Sequence, residues 1–263
     1  MLLAFDVGNT DTKLGFFARD VAGSLRLSKE WRVGTALRRT ADEYGMLIAD
    51  LLRFADIPAA AVRAVVVSSV VPQADQALSR ACRGYLGREA MFFSATTQTL
   101  IDVTTERPKE LGSDMLAAAV AARATFGTPV IVLGFGTATT FTAVSREGEL
   151  LGTAIAPGIR ISIDALVDRT AKLPQIALDA PNGPIGRDTI SAMQAGIIFG
   201  FVGQAEGLIA RMKHAIGEDA TVVATGGLAH VIAKHSTAID ATEPHLVLEG
   251  LRLFYESVHP RDA

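Results

Sequence analysis

The chain has 263 residues, 49% of them apolar and 20% charged, enough for one large domain or for two lobes of about 130 residues each. Its 25 Lys and Arg against 28 Asp and Glu leave a net charge of -3 with no basic block, which argues against nucleic acid or an anionic membrane as a partner. Cys82 is the sole cysteine, so no intrachain disulfide or cysteine-cluster metal site is available, and a reducing cytoplasm suits the composition.

Residues 2–7, LLAFDV, form an apolar run that predicts a buried strand, entered without the charged region and long apolar core of a signal peptide. KLGFFA (13–18) resumes the pattern after a turn centred on Gly8 and Asn9, predicting a hairpin, and LSKEWRV (27–33) extends it by a third strand. In TADEYGMLIADLLRFADI (40–57), Thr40 is placed to cap a helix, Glu43 follows three residues on, and apolar residues recur at helical spacing. AVRAVVVSSVVP (61–72) reads as a strand ending in small polar residues, QADQALSRACRGYL (73–86) as a helix and AMFFSAT (90–96) as another strand.

The second half restarts with a helix, SDMLAAAVAARATF (113–126). Residues 129–158 then alternate strand, Gly-Thr turn, strand, and a third strand leading to Pro157 and Gly158. VLGFGTATTFTAV repeats the layout of AFDVGNTDTKLGFF about 130 residues on, which predicts a duplicated α/β fold with lobes 1–112 and 113–263 and two turns facing across a nucleotide cleft. Helices are expected at 159–173 and at 187–216, the latter starting near Asp188 and Thr189 and apolar enough to suggest a second subunit or burial in its own core. Residues 220–236 predict a strand, a Gly-Gly turn and a helix, and 243–256 a final helix. AVRAVVVSSVV (61–71) and TPVIVLGFGTATTFTAV (128–144) are too short or too broken by Gly, Thr and Ser to span a bilayer.

Asp6, at the end of the first strand, is placed to hold magnesium, while Gly8 to Thr12 offer backbone amides and hydroxyls to phosphate oxygens. A plain hairpin turn would use the same residues for local hydrogen bonds; the echo at 135–140 and the glycine turn at 225–227 favour the phosphate reading. Neither a Walker loop nor a dinucleotide fingerprint is present, and the histidines sit singly. Gly112 and Asp114 stand at the start of the 113–126 helix, where Asp114 either accepts a proton from a substrate hydroxyl or serves as a helix cap.

DVGNTDT, RPKELGSD, GTATTFT, GTAIAPGI, DTISAMQAGIIFG and ATGGLA, in that order over nearly the whole chain, resemble the type III pantothenate kinases. The resemblance implies duplicated ribonuclease-H-like lobes of the acetate and sugar kinase/Hsp70/actin type, and a homodimer whose pantothenate pocket adjoins the subunit interface. It implies ATP, magnesium and a monovalent cation, potassium or ammonium, with γ-phosphate transfer to the pantothenate primary hydroxyl as the first step of coenzyme A synthesis. By matching positions, Asp6, Val7, Gly8, Asn9, Thr10, Asp11, Thr12 and Lys13 line the ATP phosphates, with Asp6 near magnesium, and Gly136 and Thr137 meet ATP. Gly112, Ser113, Asp114 and Met115 form the substrate segment, with Asp114 as proton acceptor, and Thr105 and Thr189 are further substrate positions.

Three positions depart from the family pattern: Met115 replaces an arginine, Gly134 replaces the aspartate of the monovalent-cation site, and Thr105 replaces a tyrosine. They leave room for a divergent member that acts on another small hydroxylated substrate, or for a non-catalytic regulatory or binding protein.

Overall fold

The computed structural model describes residues 1–217 and 219–260. Three antiparallel strands open the chain, β1 (Leu2–Val7), β2 (Asp11–Arg19) and β3 (Leu25–Gly34), followed by α1 (Ala41–Phe54), β4 (Ala64–Ser69), α2 (Pro72–Ala81) and β5 (Ala90–Phe92). The sheet order is β3-β2-β1-β4-β5, with β4 parallel to β1 and β5 parallel to β4. Alternation along β1 sends Leu3, Phe5 and Val7 into a core with Tyr44, Ile48 and Leu52 of α1 and Leu78 of α2. α1 starts where the local sequence says it should: Thr40 Oγ1 accepts from Glu43 N at 3.3 Å while Thr40 N donates to Glu43 Oε2 at 2.7 Å.

The second set begins with α3 (Ser113–Phe126), then β6 (Val130–Phe135), β7 (Ala138–Val144), β8 (Leu150–Pro157), α4 (Ile159–Asp168), α5 (Thr189–Ile216), β9 (Thr221–Thr225), α6 (Ala229–Ala233), β10 (Ala241–Thr242) and α7 (Leu246–Val258). Its sheet runs β8-β7-β6-β9-β10, with the first three strands antiparallel and the last two joining in parallel. Counted within each half, both sheets have the order third, second, first, fourth, fifth, so the repeat read in the sequence is a repeat of topology. That order is the ribonuclease-H-like arrangement expected for each lobe.

The compact units do not follow one cut between residues 112 and 113. One comprises Met1–Ile101, Glu106–Ala121 and the segment from Leu246; the other comprises Asp102–Thr105 and Ala122–His245. In the first unit, α1 and α2 cover one sheet face, and α7 contacts β1, β2 and β4. α7 packs so closely on α3 that a Cβ added at Gly250 would stand 2.0 Å from the Ala117 carbonyl oxygen. Phe254 of α7 also meets Phe93 edge-on, with ring centroids 5.2 Å apart.

In the second unit, Ile131, Leu133 and Phe135 of β6 share a core with Ile163 of α4 and Ile197, Phe201 and Ile209 of α5. α4 ends at Asp168, short of the expected 173. The Thr170 hydroxyl donates to Leu166 O at 2.9 Å, bonding back onto the last turn.

Candidate active site

Asp6 is the penultimate residue of β1 and lies in register with Lys13 on β2 and Ser68 on β4; Lys13 in turn pairs with Arg32 on β3. Residues directly opposite one another in a sheet share a face, so the acid, both cations and the serine line one side of the first sheet. The following turn is closed by Gly8 N donating to Asp11 O at 3.0 Å, and a Cβ at Gly8 would meet that same oxygen at 3.0 Å. Asn9 and Thr10 form its exposed tip, whereas Val7 is buried in the core. Thr12 differs from the sequence expectation: it is 1% exposed and its hydroxyl is bonded to Thr35 Oγ1 at 2.8 Å, so it holds the turn from inside.

The first turn of α3 is fixed to the end of β4 by serines. Ser113 Oγ donates to Ser69 O at 3.1 Å and stands 2.8 Å from Ser68 Oγ. With the Ser113 hydroxyl hydrogen committed to that carbonyl, Ser68 is the donor of the hydroxyl pair. Asp114 Oδ1 accepts from Met115 N at 2.8 Å, and a Cβ at Gly112 would stand 2.6 Å from the same oxygen, so glycine leaves room for the carboxylate.

Burial pushes the Asp114 carboxyl above the usual carboxylate range, partly offset by the Met115 amide. Burial, and next the neighbouring Asp114, push Asp6 up to about 7, against the pull of Lys13 and Arg32. Asp114 thus raises the cost of ionising Asp6, a cost that a hard divalent cation beside the Asp6 carboxylate would offset. Among the described residues no group of three or more His, Cys, Asp or Glu is gathered for a metal, so magnesium here would draw its remaining ligands from water and phosphate.

In the second unit, the turn at Gly136 and Thr137 is closed by Gly136 N donating to Ala138 O at 3.0 Å. Two glycines bring other chain segments against it. A Cβ at Gly158, the residue before α4, would stand 2.2 Å from Thr137 O, and one at Gly226 (φ +96°) would stand 2.4 Å from Phe135 O. The Gly-Thr turn, the start of α4 and the end of β9 therefore meet at one end of this sheet, bare of side chains where the backbones touch.

Gly134 pairs with Thr140 and Thr225, and a Cβ there would meet Thr140 Oγ1 at 2.5 Å. Thr105 ends a segment hydrogen-bonded along Leu150, and its hydroxyl is enclosed without a hydrogen-bond partner. Thr189 is the exposed first residue of α5, behind the Asp188 cap.

Within the first unit the structure thus brings Asp6 and Lys13 together with Gly112, Ser113, Asp114 and Met115, while Gly134, Gly136 and Thr137 cluster in the second. Ser68, Ser69 and Thr35 escaped sequence reasoning. The signal for the serines was a small polar pair at the carboxyl end of a strand parallel to β1, the end at which open α/β sheets bind ligands.

Residues 2–211 match the family described as type III pantothenate kinase. A type III pantothenate kinase of Moorella thermoacetica is 45% identical over 256 residues, spanning 97% of this chain and 99% of that protein. One from Brevibacillus brevis is 44% identical over 256 residues, spanning 97% and 98%. Among solved structures, a protein described as a 2-dehydro-3-deoxygalactonokinase of Sinorhizobium meliloti aligns with a TM-score of 0.63 at 13% identity, covering 99% of this chain and 97% of that one. A protein described as a Baf family transcriptional activator of Campylobacter jejuni gives 0.59 at 16% identity, covering 98% and 99%. At such identities these likenesses speak to the fold alone, which is the duplicated sugar-kinase and actin type.

Proposed function

The chain belongs to the type III pantothenate kinase family, and on that premise we propose that it transfers the γ-phosphoryl group of ATP to the primary hydroxyl of pantothenate, in coenzyme A synthesis. The observation that carries the reading is the placement of Asp114: a carboxyl of raised proton affinity at the head of α3, tied to the strand beside Asp6 through Ser113 and Ser68. Asp114 takes the proton of the attacking hydroxyl as the oxygen bonds to the γ-phosphorus and the bond to the ADP oxygen breaks. Asn9 and Thr10 at the exposed tip meet phosphate oxygens, and Lys13 balances their charge. Gly112, Ser113 and Met115 shape the substrate end, with Thr105 and Thr189 as further contacts; the unpartnered Thr105 hydroxyl supports the first of these. Gly136 and Thr137 meet the nucleotide with backbone groups.

Magnesium fits beside Asp6, the residue whose carboxylate would hold it. When bound it neutralises charge on the phosphate oxygens. A monovalent cation does not fit at Gly134, which brings no carboxylate and is overhung by the Thr140 hydroxyl, so no step runs through one.

The homodimer is assigned to α5. Its inner side buries Ile197, Ile198, Phe201 and Val202, while Gly196, Gly200 and Gly203 lie exposed on the opposite side, with no atom within 4 Å of an added Cβ. Gly196 and Gly200 border a cavity of about 270 Å³ with Pro157 and Ser162, and exposed Ile155 and Ile161 lie on the adjoining β8 and α4. A smooth apolar face of this kind suits a second copy of the chain in the cytoplasm.

Met115 favours a second reading, since an apolar side chain replaces a guanidinium that would pair with the pantothenate carboxylate. A substrate with the same hydroxyl and no carboxylate would then be preferred. The test is product detection by mass after incubation with magnesium, ATP and either pantothenate or its alcohol analogue pantothenol, with and without potassium. Phosphopantothenate supports the first reading, phosphopantothenol alone the second, and no product from either defeats both.

A further inference from the structure

We propose that Thr35, outside every recognised motif, is the positioning residue that aims the amides of the first phosphate turn; the inference rests on the reading of that turn as a phosphate site. Thr35 follows β3 directly and grips the turn at three places. Its hydroxyl donates to Gly8 O at 2.7 Å, its Oγ1 stands 2.8 Å from Thr12 Oγ1, and its amide donates to Thr10 O at 2.9 Å. Because the Thr35 hydrogen goes to Gly8, Thr12 is the donor to Thr35, and the two hydroxyls form one aligned chain ending on the Gly8 carbonyl.

The consequence follows from peptide planarity. In a trans peptide the carbonyl and the next residue's N–H point in opposite directions. Holding the Gly8 carbonyl on Thr35 therefore turns the Asn9 amide away from Thr35, and holding the Thr10 carbonyl does the same for the Asp11 amide. Two donors are thereby set before any ligand arrives, on a turn whose tip at Asn9 and Thr10 is exposed. Preset donors lower the ordering cost of binding an anion, which is where a gain in nucleotide affinity arises. Thr35 itself contacts no reacting atom.

The test compares Thr35→Val, which keeps the shape and loses both hydroxyl bonds, with Thr35→Ser, which keeps them. Amide hydrogen exchange of the ligand-free protein is read at residues 8–12, and binding of magnesium-ADP is read by calorimetry. We expect Thr35→Val to speed exchange at 8–12 alone and to weaken nucleotide binding about tenfold. Thr35→Ser restores both to within about threefold, and KM for the phosphoryl acceptor stays unchanged in either variant. If Thr35→Val fails to fold, Thr12→Val, which removes one bond of the chain, takes its place with a smaller loss in the same two readouts. Equal nucleotide affinity in the Val and Ser variants, or faster exchange spread over the whole first unit, overturns the proposal. Loss of protection at 8–12 in a protein that binds no nucleotide even as wild type would defeat the phosphate reading and leave Thr35 as the brace of a plain hairpin, which also overturns it.

Discussion

Ser68 and Ser113 share a 2.8 Å hydrogen bond across 45 residues of sequence, and the two acids of the site flank it: Asp6 lies in register with Ser68, and Asp114 follows Ser113. Both serines are buried, at 0% and 8% exposure, so neither hydroxyl has water as a substitute partner. Ser113→Ala leaves the Ser68 hydroxyl without its acceptor, at a cost of about 1–3 kcal/mol, whereas changing both serines to alanine recovers most of that loss. Urea unfolding of the two singles and the double completes the cycle. kcat is expected to stay low in the double, because Asp114 loses its anchor even where stability returns.

Asp114→Asn keeps the shape of the carboxyl and removes its ability to take a proton. Turnover is expected to fall by about 10²- to 10⁴-fold with magnesium-ATP binding close to wild type. Single-turnover kinetics beside calorimetry separate the two quantities. Unchanged turnover in a folded variant would remove Asp114 from the base role.

Asp6 gives the ligand-free protein a stability that depends on pH in a known direction. Its folded value of about 7 lies above the ordinary 3.8, so between those values the folded state holds more protons than the unfolded state, and the contribution of this group to stability declines as pH rises. Above pH 7 the decline is complete and the charged carboxylate is a fixed cost. Asp6→Asn removes that cost, so the variant is expected to exceed wild type by about 1–3 kcal/mol at pH 8, to match it near pH 4, and to lose the advantage when saturating magnesium-ATP is added to wild type. Thermal melts from pH 4 to 9 with and without nucleotide measure the difference. A gap independent of pH would refute the assignment.

These relationships divide by range along the chain. The Thr40 and Glu43 capping box and the Asp188 cap of α5 lie within a few residues, and they appear in the structure as the sequence spacing predicts. The hairpins at 2–19 and 130–144 were legible as a repeated pattern of apolar runs around glycine turns, because alternation is a local property. What escaped is set by packing. Nothing local to Leu246–Val258 says that α7 joins the first unit, and two-residue β10 exists only through its pairing with β9. Thr12 sits in the same phosphate-like motif as Thr10, yet one is buried on Thr35 and the other exposed, a difference fixed by where β3 ends. The Asp6 and Asp114 pairing was likewise invisible until Ser68 met Ser113.

The glycine face of α5 allows a test that keeps folding and assembly apart. Gly200 is exposed and an added Cβ there meets no atom within 4 Å, so Gly200→Leu is expected to be accommodated in the isolated chain, and it replaces the poorest helix former after proline by one of the best, a gain of about 0.5–1 kcal/mol for the monomer. The same side chain would stand between two copies packed through Gly196, Gly200 and Gly203, where close backbone approach leaves it no space. Wild type is expected to sediment as a dimer and Gly200→Leu as a monomer with an equal or higher melting temperature at high dilution. Sedimentation velocity over a concentration series, beside a melt of each sample, reads both effects. A Gly200→Leu protein that still dimerises would move the interface off α5, and one that melts lower as a monomer would mean that the face is covered within the chain itself.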